Sequence, residues 1–221
     1  MADEPTGFLY PFIEAEERGA DELLLVLAQS ARIKLEESTA LRAATLERCE
    51  GQVRLAGQAM ASCFARGGRL FAFGNGGSAT DAENAVDLFG RPPHGRFLPA
   101  LSLVDNAAVL TALANDVGFD LVFARQLIAH ARAGDVAVGF STSGDSRNLL
   151  CAFEEAARRG MVTVGLCGYE RAAMARSDAV QHCLVVRSES VHRIQEVQDA
   201  LLLRLWEVVQ EEMAAEEVGV T

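Results

Sequence analysis

RLFAFGNGGS, residues 69–78, is the stretch that decides the fold. Its first five residues form a short apolar run that is typical of a buried parallel strand, and the glycines after it indicate a tight loop. Residues 79–89 have the composition of a helix, so a strand, a loop and a helix follow one another. This order predicts the first unit of an alternating strand–helix domain.

The same alternation continues toward the end of the chain. We predict further strands at 98–103, 135–140, 161–166 and 179–185, and helices at 106–114, 119–131, 146–159 and 191–213, with one short helix after the fourth strand. Right-handed crossovers between these elements give an α/β fold with a doubly wound, mainly parallel five-stranded sheet. Ligands of such sheets bind beyond the carboxyl ends of the strands, which points to the loops after the first and third strands.

The N-terminal part of the chain has a different texture. Residues 21–66 are rich in Ala, Leu, Glu and Arg and predict two helices, broken near Gly51, after a short extension that contains Pro5 and Pro11. Helices without a sheet of their own usually pack against another subunit. We therefore expect an N-terminal extension with oligomerisation helices at 1–66 and the α/β domain at 67–221.

Composition limits the classes of function. Half of the 221 residues are hydrophobic, which is enough for a large core, and the formal charge of −11 argues against a direct nucleic-acid partner. No apolar run approaches the length that crosses a membrane, and the N-terminus lacks the pattern of a signal peptide. The five cysteines form no CxxC pair, so we expect reduced thiols and a cytoplasmic protein, and the four histidines show no metal-binding pattern.

The first loop, GNGGS at 74–78, can hold an anion. Its glycines let the backbone approach a phosphate, and the helix that follows offers unpaired N–H groups. The loop also fits the dinucleotide fingerprint G-x-G-x-x-A through Gly74, Gly76 and Ala79, which leaves a dinucleotide enzyme as one alternative. The other alternative is that this loop is a tight turn that binds no ligand.

The second loop, STSGDS at 141–146, predicts a neutral phosphate cup. Four hydroxyls and a glycine precede a helix, so the donors are hydroxyl and backbone groups instead of a lysine. The alternative is that Ser143 or Asp145 simply caps the helix, which leaves the other hydroxyls unexplained. Neither loop carries the lysine of a Walker A motif, which argues against hydrolysis of nucleoside triphosphates.

Three motifs in order resemble one family. GNGGS, STSGDS and HRIQE (192–196) together resemble the SIS (sugar isomerase) domain, and most closely the phosphoheptose isomerase group. That group includes the DiaA-type proteins, which associate with a replication initiator, and DNAAVLTALAND (105–116) resembles this branch in particular. The resemblance spans about residues 41–209.

The resemblance implies a sheet of flavodoxin-like type and a phosphorylated sugar as the ligand. The residues that match the family's phosphate site are Ser141, Thr142, Ser143 and Ser146, and those that match its sugar contacts are Asn75, Ser78, Asp116 and Gln195. The family is usually a homotetramer with sites between subunits and a bundle of N-terminal helices, which agrees with the helices expected at the front of this chain.

The match fails at the family's acid, base and zinc positions. Isomerases of this group move a proton between C1 and C2 of the sugar with a glutamate and a histidine, and many hold zinc nearby. Here the first-helix histidine corresponds to Asn84, the glutamate to Leu88 and the last-helix histidine to Leu203. Leucine neither moves a proton nor binds a metal, so we expect no zinc. Gln195 alone remains of that set.

Two other residues are candidates for the chemistry. The stretch before Gly90 is one residue shorter than in the family, so Asp87 can stand in for the glutamate, and His192 takes the place of a family aspartate. The alternative is that both belong to a solvated surface. The sequence thus leaves two main hypotheses open: an aldose–ketose isomerase of a phosphorylated sugar, or a non-catalytic DiaA-type protein that docks a protein partner.

Overall fold

The computed structural model describes residues 20–218, and the elements alternate as the sequence predicts. The extension predicted ahead of the first helix lies outside the described residues. The helices are α1 (Ala20–Ala65), α2 (Gly77–Gly90), α3 (Ala107–Val117), α4 (Val122–His130), α5 (Arg147–Arg158) and α6 (Val191–Val218), with 3₁₀ turns at Phe119–Leu121 and Met174–Arg176. The strands are β1 (Leu70–Gly74), β2 (Ala100–Ser102), β3 (Val136–Ser141), β4 (Val162–Cys167) and β5 (His182–Val185).

The five strands form one parallel sheet in the order β2-β1-β3-β4-β5. The predicted α/β class with a doubly wound parallel sheet is therefore confirmed. β5 is shorter than predicted, because the backbone turns between Ser177 and Val180 and the Gln181 N–H donates to the Thr163 hydroxyl at 2.9 Å. That side-chain bond replaces a ladder bond, so the strand starts only at His182.

Both faces of the sheet are buried under helices. Alternate strand residues such as Leu70 and Val138 join α2, α6 and the C-terminal part of α1 in one hydrophobic core. The residues between them, such as Phe71 and Ala137, join α4 and α5 in a second core on the other face. Because successive strand residues point to opposite faces, each strand contributes to both cores, which explains why the strands are apolar throughout.

α1 is one helix, which corrects the expectation of a break near Gly51. The helix continues through this residue, and a Cβ placed there would meet open space. A glycine inside a helix costs about 1 kcal/mol relative to alanine, and the surrounding strong helix formers outweigh that cost. The chain divides into two compact units after Thr39, and the division at residue 66 stays a prediction. None of the described helices is long and apolar enough to cross a membrane.

A buried carboxylate joins the amino ends of β1 and β3. Asp135 is fully buried and accepts hydrogen bonds from the Arg69 backbone N–H at 2.9 Å, from Arg69 Nη2 at 2.9 Å and from the Arg132 backbone N–H at 3.0 Å. Both oxygens of the carboxylate are thus used. These bonds fix the amino ends of the two neighbouring strands relative to each other.

Candidate functional site

Two loops at the carboxyl edge of the sheet form the candidate site. The first, 74–78, joins β1 to α2, and the second, 141–146, joins β3 to α5. β1 and β3 pair in parallel with Gly74 opposite Phe140, so the loops leave the sheet side by side. The chain runs from β1 outward to β2 and then returns to β3, which places the strand-order reversal between these loops. This is where parallel sheets of this kind bind ligands.

A reciprocal pair of amide hydrogen bonds connects the first loop to α5. Asn75 Nδ2 donates to Asn148 Oδ1, and Asn148 Nδ2 donates to Asn75 Oδ1, each at 2.9 Å. Asn148 is only 2% exposed and lies in the first turn of α5. The predicted sugar contact Asn75 therefore stands at the junction of the two loops, held by a partner that belongs to no motif in the sequence.

Three hydroxyls converge in the second loop. Ser141 Oγ accepts a hydrogen bond from the Gly144 backbone N–H at 2.9 Å, and the Oγ atoms of Ser143 and Ser146 each lie 3.4 Å from it. Gly144 has a φ of +69°, a conformation that favours glycine. The hydroxyls thus surround the start of α5, where backbone N–H groups and the helix dipole favour an anion.

The alternative that Ser143 or Asp145 caps the helix is wrong. The N-cap residue of α5 is Ser146, and its side chain makes no capping hydrogen bond. Ser143 Oγ accepts a 3.3 Å bond from the Asp145 N–H within the loop, and Asp145 Oδ1 accepts a 2.7 Å bond from the Ala173 N–H. Thr142, the fourth predicted residue, lies half-buried in the same loop. Helix capping therefore does not account for these hydroxyls.

Glycines in the first loop let α6 approach α2. A Cβ on Gly74 would lie 2.1 Å from the Ser78 carbonyl oxygen, and one on Gly77 would lie 2.3 Å from Gln195 Nε2. The Ser78 N–H donates to the Asn75 carbonyl at 3.0 Å, and the Ser78 side chain is buried. Asn75, Ser78 and Gln195, all predicted as sugar contacts, therefore meet at the start of α2.

Asp81 is a buried carboxyl group that the sequence analysis missed. It is 5% exposed, and its Oδ2 has no hydrogen-bond partner. Burial, and then the negative charge of Asp199, raise the pKa of Asp81 to about 6, while a hydrogen bond from Gln195 opposes that shift. Partial burial also raises the pKa of Asp199, against a hydrogen bond with Asn84. The only sequence signal was that Asp81 follows Ser78 by one helical turn and so shares its buried face.

The other predicted residues lie away from the loops or at the surface. Asp87 is exposed and forms an ion pair with Arg91, one turn further along α2. It follows Gly77 by ten residues, which is about 15 Å along the helix axis. His192 is exposed in the first turn of α6, and Asp116 is exposed near the end of α3, where it accepts a 3.0 Å hydrogen bond from the neighbouring asparagine.

The positions that match the family's zinc ligands do not form a metal site. Asn84 lies beside Asp199, Leu88 is half-buried against the first core, and Leu203 is 47% exposed. Among the side chains that the structure describes, no three His, Cys, Asp or Glu residues come together as metal ligands would. The residues present do not fit zinc, which prefers nitrogen and sulfur ligands.

A cavity of about 600 Å³ adjoins the second loop on the side of β4 and β5. It is lined by Asp145, by residues 168–172 and by residues 187–189, with an ion pair between Glu170 and Arg187. The volume suits a small molecule. Of the second loop, only Asp145 lines this cavity, so the three convergent hydroxyls lie outside its lining.

Comparison with known proteins gives one consistent match. The sequence model of the SIS domain matches residues 35–168. The phosphoheptose isomerase of Roseiflexus sp. (strain RS-1) is 38% identical over 181 residues, which is 80% of this chain and 90% of that protein. The phosphoheptose isomerase of Solidesulfovibrio magneticus is 43% identical over 169 residues, 74% of this chain and 79% of that protein.

A solved structure agrees with the sequence match. The phosphoheptose isomerase from Neisseria gonorrhoeae superposes with a TM-score of 0.77 at 32% sequence identity, and the match covers 84% of this chain and 99% of that one.

Proposed function

The chain belongs to the SIS domain family, within its phosphoheptose isomerase group, and from this premise we propose that it binds a phosphorylated sugar at the two loops. The observation that carries the proposal is the set of hydroxyls of Ser141, Ser143 and Ser146 at the start of α5, which helix capping does not use. Hydroxyl and backbone donors at a helix N-terminus suit a phosphate without any lysine.

The proposal assigns a role to each predicted residue. The phosphate is held by the second loop, with Thr142 beside the three serines. The sugar lies toward the first loop, where Asn75, Ser78 and the Gln195 amide meet. Asp116 lies on α3, and in this proposal it serves the site of a neighbouring subunit.

For the reaction we propose an aldose–ketose isomerisation of the type named for the relatives. Moving a proton between C1 and C2 needs a base at carbon and an acid at oxygen. Asp87 and His192 are the candidates; both are exposed within one chain, and Asp87 is paired with Arg91. A second subunit that covers them would complete the site.

A specific observation favours a second candidate function. Leu88 and Leu203 occupy the positions of the family's glutamate and histidine, and neither side chain transfers a proton. A protein that binds the sugar phosphate without turnover and docks a protein partner, as in the DiaA-type branch, fits that observation. The hydroxyls of the second loop can bind the sugar phosphate in both functions, so only a measurement of turnover distinguishes the two.

The test is proton exchange on a seven-carbon ketose phosphate. Sedoheptulose 7-phosphate is incubated with the protein in deuterated water, and NMR follows deuterium entering at C1 and C2. An isomerase exchanges these protons, and the Asp87→Asn and His192→Ala variants lose exchange while keeping affinity measured by calorimetry. Binding without exchange supports the non-catalytic function, and absence of both overturns the proposal.

We also propose that the protein works without zinc. Asn84, Leu88 and Leu203 leave the family's zinc position without its histidine and glutamate ligands. Elemental analysis of protein purified without chelator is expected to show less than one zinc per subunit. One tightly held zinc per subunit, retained through dialysis, would contradict this.

We propose a homotetramer in the cytoplasm, with no direct contact to nucleic acid. The N-terminal unit supports the assembly, because its helix exposes large apolar side chains that water does not favour. These are Leu23, Leu24, Leu25, Val26, Leu27, Ile33 and Leu35. Light scattering at several concentrations measures the assembly, and a monomer throughout would contradict it.

A further inference from the structure

Two free thiols lie in contact beneath the second loop. Cys167 is the last residue of β4, Cys183 lies in β5, and their Sγ atoms are 3.7 Å apart. The register pairs Gly165 with Cys183 and Cys167 with Val185, so the cysteines are two positions apart on neighbouring strands. Side chains two positions apart share one face of a sheet, which explains why the two sulfurs meet.

Cys167 supports the loop that carries the hydroxyls. A Cβ on Gly144 would lie 2.9 Å from Cys167 Cβ and 3.4 Å from its Sγ. The next residue, Gly168, donates its N–H to the Thr142 carbonyl at 3.0 Å. A shift of Cys167 therefore reaches the loop through both a direct contact and a hydrogen bond, since a closely packed interior transmits strain.

A small oxidant can reach the two thiols through the cavity that Cys183 lines. Cys167 is fully buried, whereas Cys183 is half-buried and lines a cavity of about 720 Å³ together with Cys49 and Gln52. Hydrogen peroxide is close to water in size and fits such a space. The hydrogen bond between the thiols lowers the pKa of Cys167 and raises that of Cys183.

We propose that Cys167 and Cys183 form a reversible disulfide under peroxide, and that this modification weakens ligand binding at the second loop. The second half of the proposal rests on the sugar-phosphate binding proposed above. The two sulfurs must approach by about 1.6 Å to reach the disulfide length of about 2.05 Å, and this movement pulls Cys167 from its place under Gly144.

The chemistry balances with one peroxide. A thiolate sulfur of the pair attacks a peroxide oxygen, and the O–O bond breaks to give a sulfenic acid and hydroxide, which takes the proton that the thiol released and becomes one water. The second thiolate attacks the sulfenic sulfur, the S–S bond forms, and the leaving hydroxide takes a proton to give a second water. Two thiols are oxidised, both peroxide oxygens are reduced, and either sulfur making the first attack gives the same products. An added dithiol reverses the modification.

The experiment treats the full-length protein with hydrogen peroxide and reads the modification and its effect separately. Intact mass is expected to fall by two hydrogens, and peptide mapping is expected to link Cys167 to Cys183. Calorimetry with sedoheptulose 7-phosphate is expected to show affinity lower by roughly fivefold or more, the low end of usual coupling between sites, with recovery after dithiothreitol. Cys49→Ser, which changes the third thiol near the cavity, is expected to behave like the wild type.

The Cys183→Ser variant shows whether the Cys167–Cys183 disulfide causes the loss of affinity under peroxide. This variant is expected to keep its affinity under peroxide, and an equal loss of affinity overturns the proposal, as does a mapped disulfide with unchanged affinity. If the reduced protein binds no sugar phosphate, the proposed function fails, but mass and mapping still test the disulfide. Amide hydrogen exchange of residues 141–146 then measures the coupling, and equal exchange rates before and after oxidation would exclude it.

Discussion

The two edges of the sheet use polar groups in opposite ways. At the amino edge, Asp135 is buried and accepts three hydrogen bonds from Arg69 and Arg132, so its charge is satisfied within the chain. At the carboxyl edge, the hydroxyls of Ser143 and Ser146 reach Ser141 only at 3.4 Å, and no helix cap uses Ser146. The first edge stabilises the fold, and the second has hydroxyls that are available for the ligand proposed above. Stability and binding should therefore respond to different substitutions.

The largest expected effect is on stability at the amino edge. Asp135→Asn places an amide N–H₂ among donor groups and leaves Arg69 without its ion pair. Because breaking a buried charge pair costs about 3–5 kcal/mol, the free energy of unfolding should fall by about that amount. Urea denaturation measures it. Asp178→Asn, at an exposed aspartate, is the matched control, and an equal change in both variants would contradict the role of Asp135.

Asp135→Asn also tests whether stability at the amino edge and binding at the carboxyl edge are independent. At temperatures where the variant is folded, its affinity for sedoheptulose 7-phosphate should equal that of the wild type. A large loss of affinity in the folded variant would show that the amino edge positions the loops beyond holding the strands.

The next effect is on binding at the carboxyl edge. The double variant Ser143→Ala and Ser146→Ala removes two hydroxyls that, in the proposed function, donate hydrogen bonds to a phosphate dianion. Hydrogen bonds to charged groups contribute about 1.5–3 kcal/mol each, so affinity should fall roughly 100-fold or more while the unfolding midpoint stays within about 2 °C. Calorimetry and thermal denaturation measure the two quantities.

Ser177→Ala provides the control for that pair. This serine precedes β5 and so lies toward the amino edge, where its hydroxyl accepts a hydrogen bond from the Ala179 N–H at 3.3 Å. The control should bind as the wild type does. Unchanged affinity in the double variant would refute phosphate binding by these two hydroxyls.

The sequence predicted the positions of the two loops at the carboxyl edge because their signals are local. A short apolar run, a glycine and a hydroxyl-rich turn lie within a few residues of each other, so both loops could be read directly. The role of Asn148 could not be predicted from such local signals, because its partner Asn75 is 73 residues away and its burial depends on packing. The same holds for Asp135, whose partner Arg69 is 66 residues away. The continuity of α1 through Gly51 was missed because glycine alone does not break a helix of strong formers.

Asp81 was only partly predictable, because its place one helical turn after Ser78 is a local signal but its burial depends on packing. Its titration gives the smallest expected effect. Burial, with the charge of Asp199, raises its pKa from 3.8 to about 6, so between these values the folded protein holds a proton that the unfolded chain has lost. Stability therefore falls as pH rises through this window. Between pH 5 and pH 8 the loss from this group is about 1 kcal/mol.

Asp81→Asn isolates that contribution, because the amide keeps the shape of the carboxyl group but does not titrate. The difference in unfolding free energy between this variant and the wild type should shift by about 1 kcal/mol in favour of the variant from pH 5 to pH 8. Asp105→Asn, at an exposed aspartate, should show no such shift. A difference that stays constant across pH would mean that Asp81 is ionised throughout this range in the folded protein, which would contradict the raised pKa.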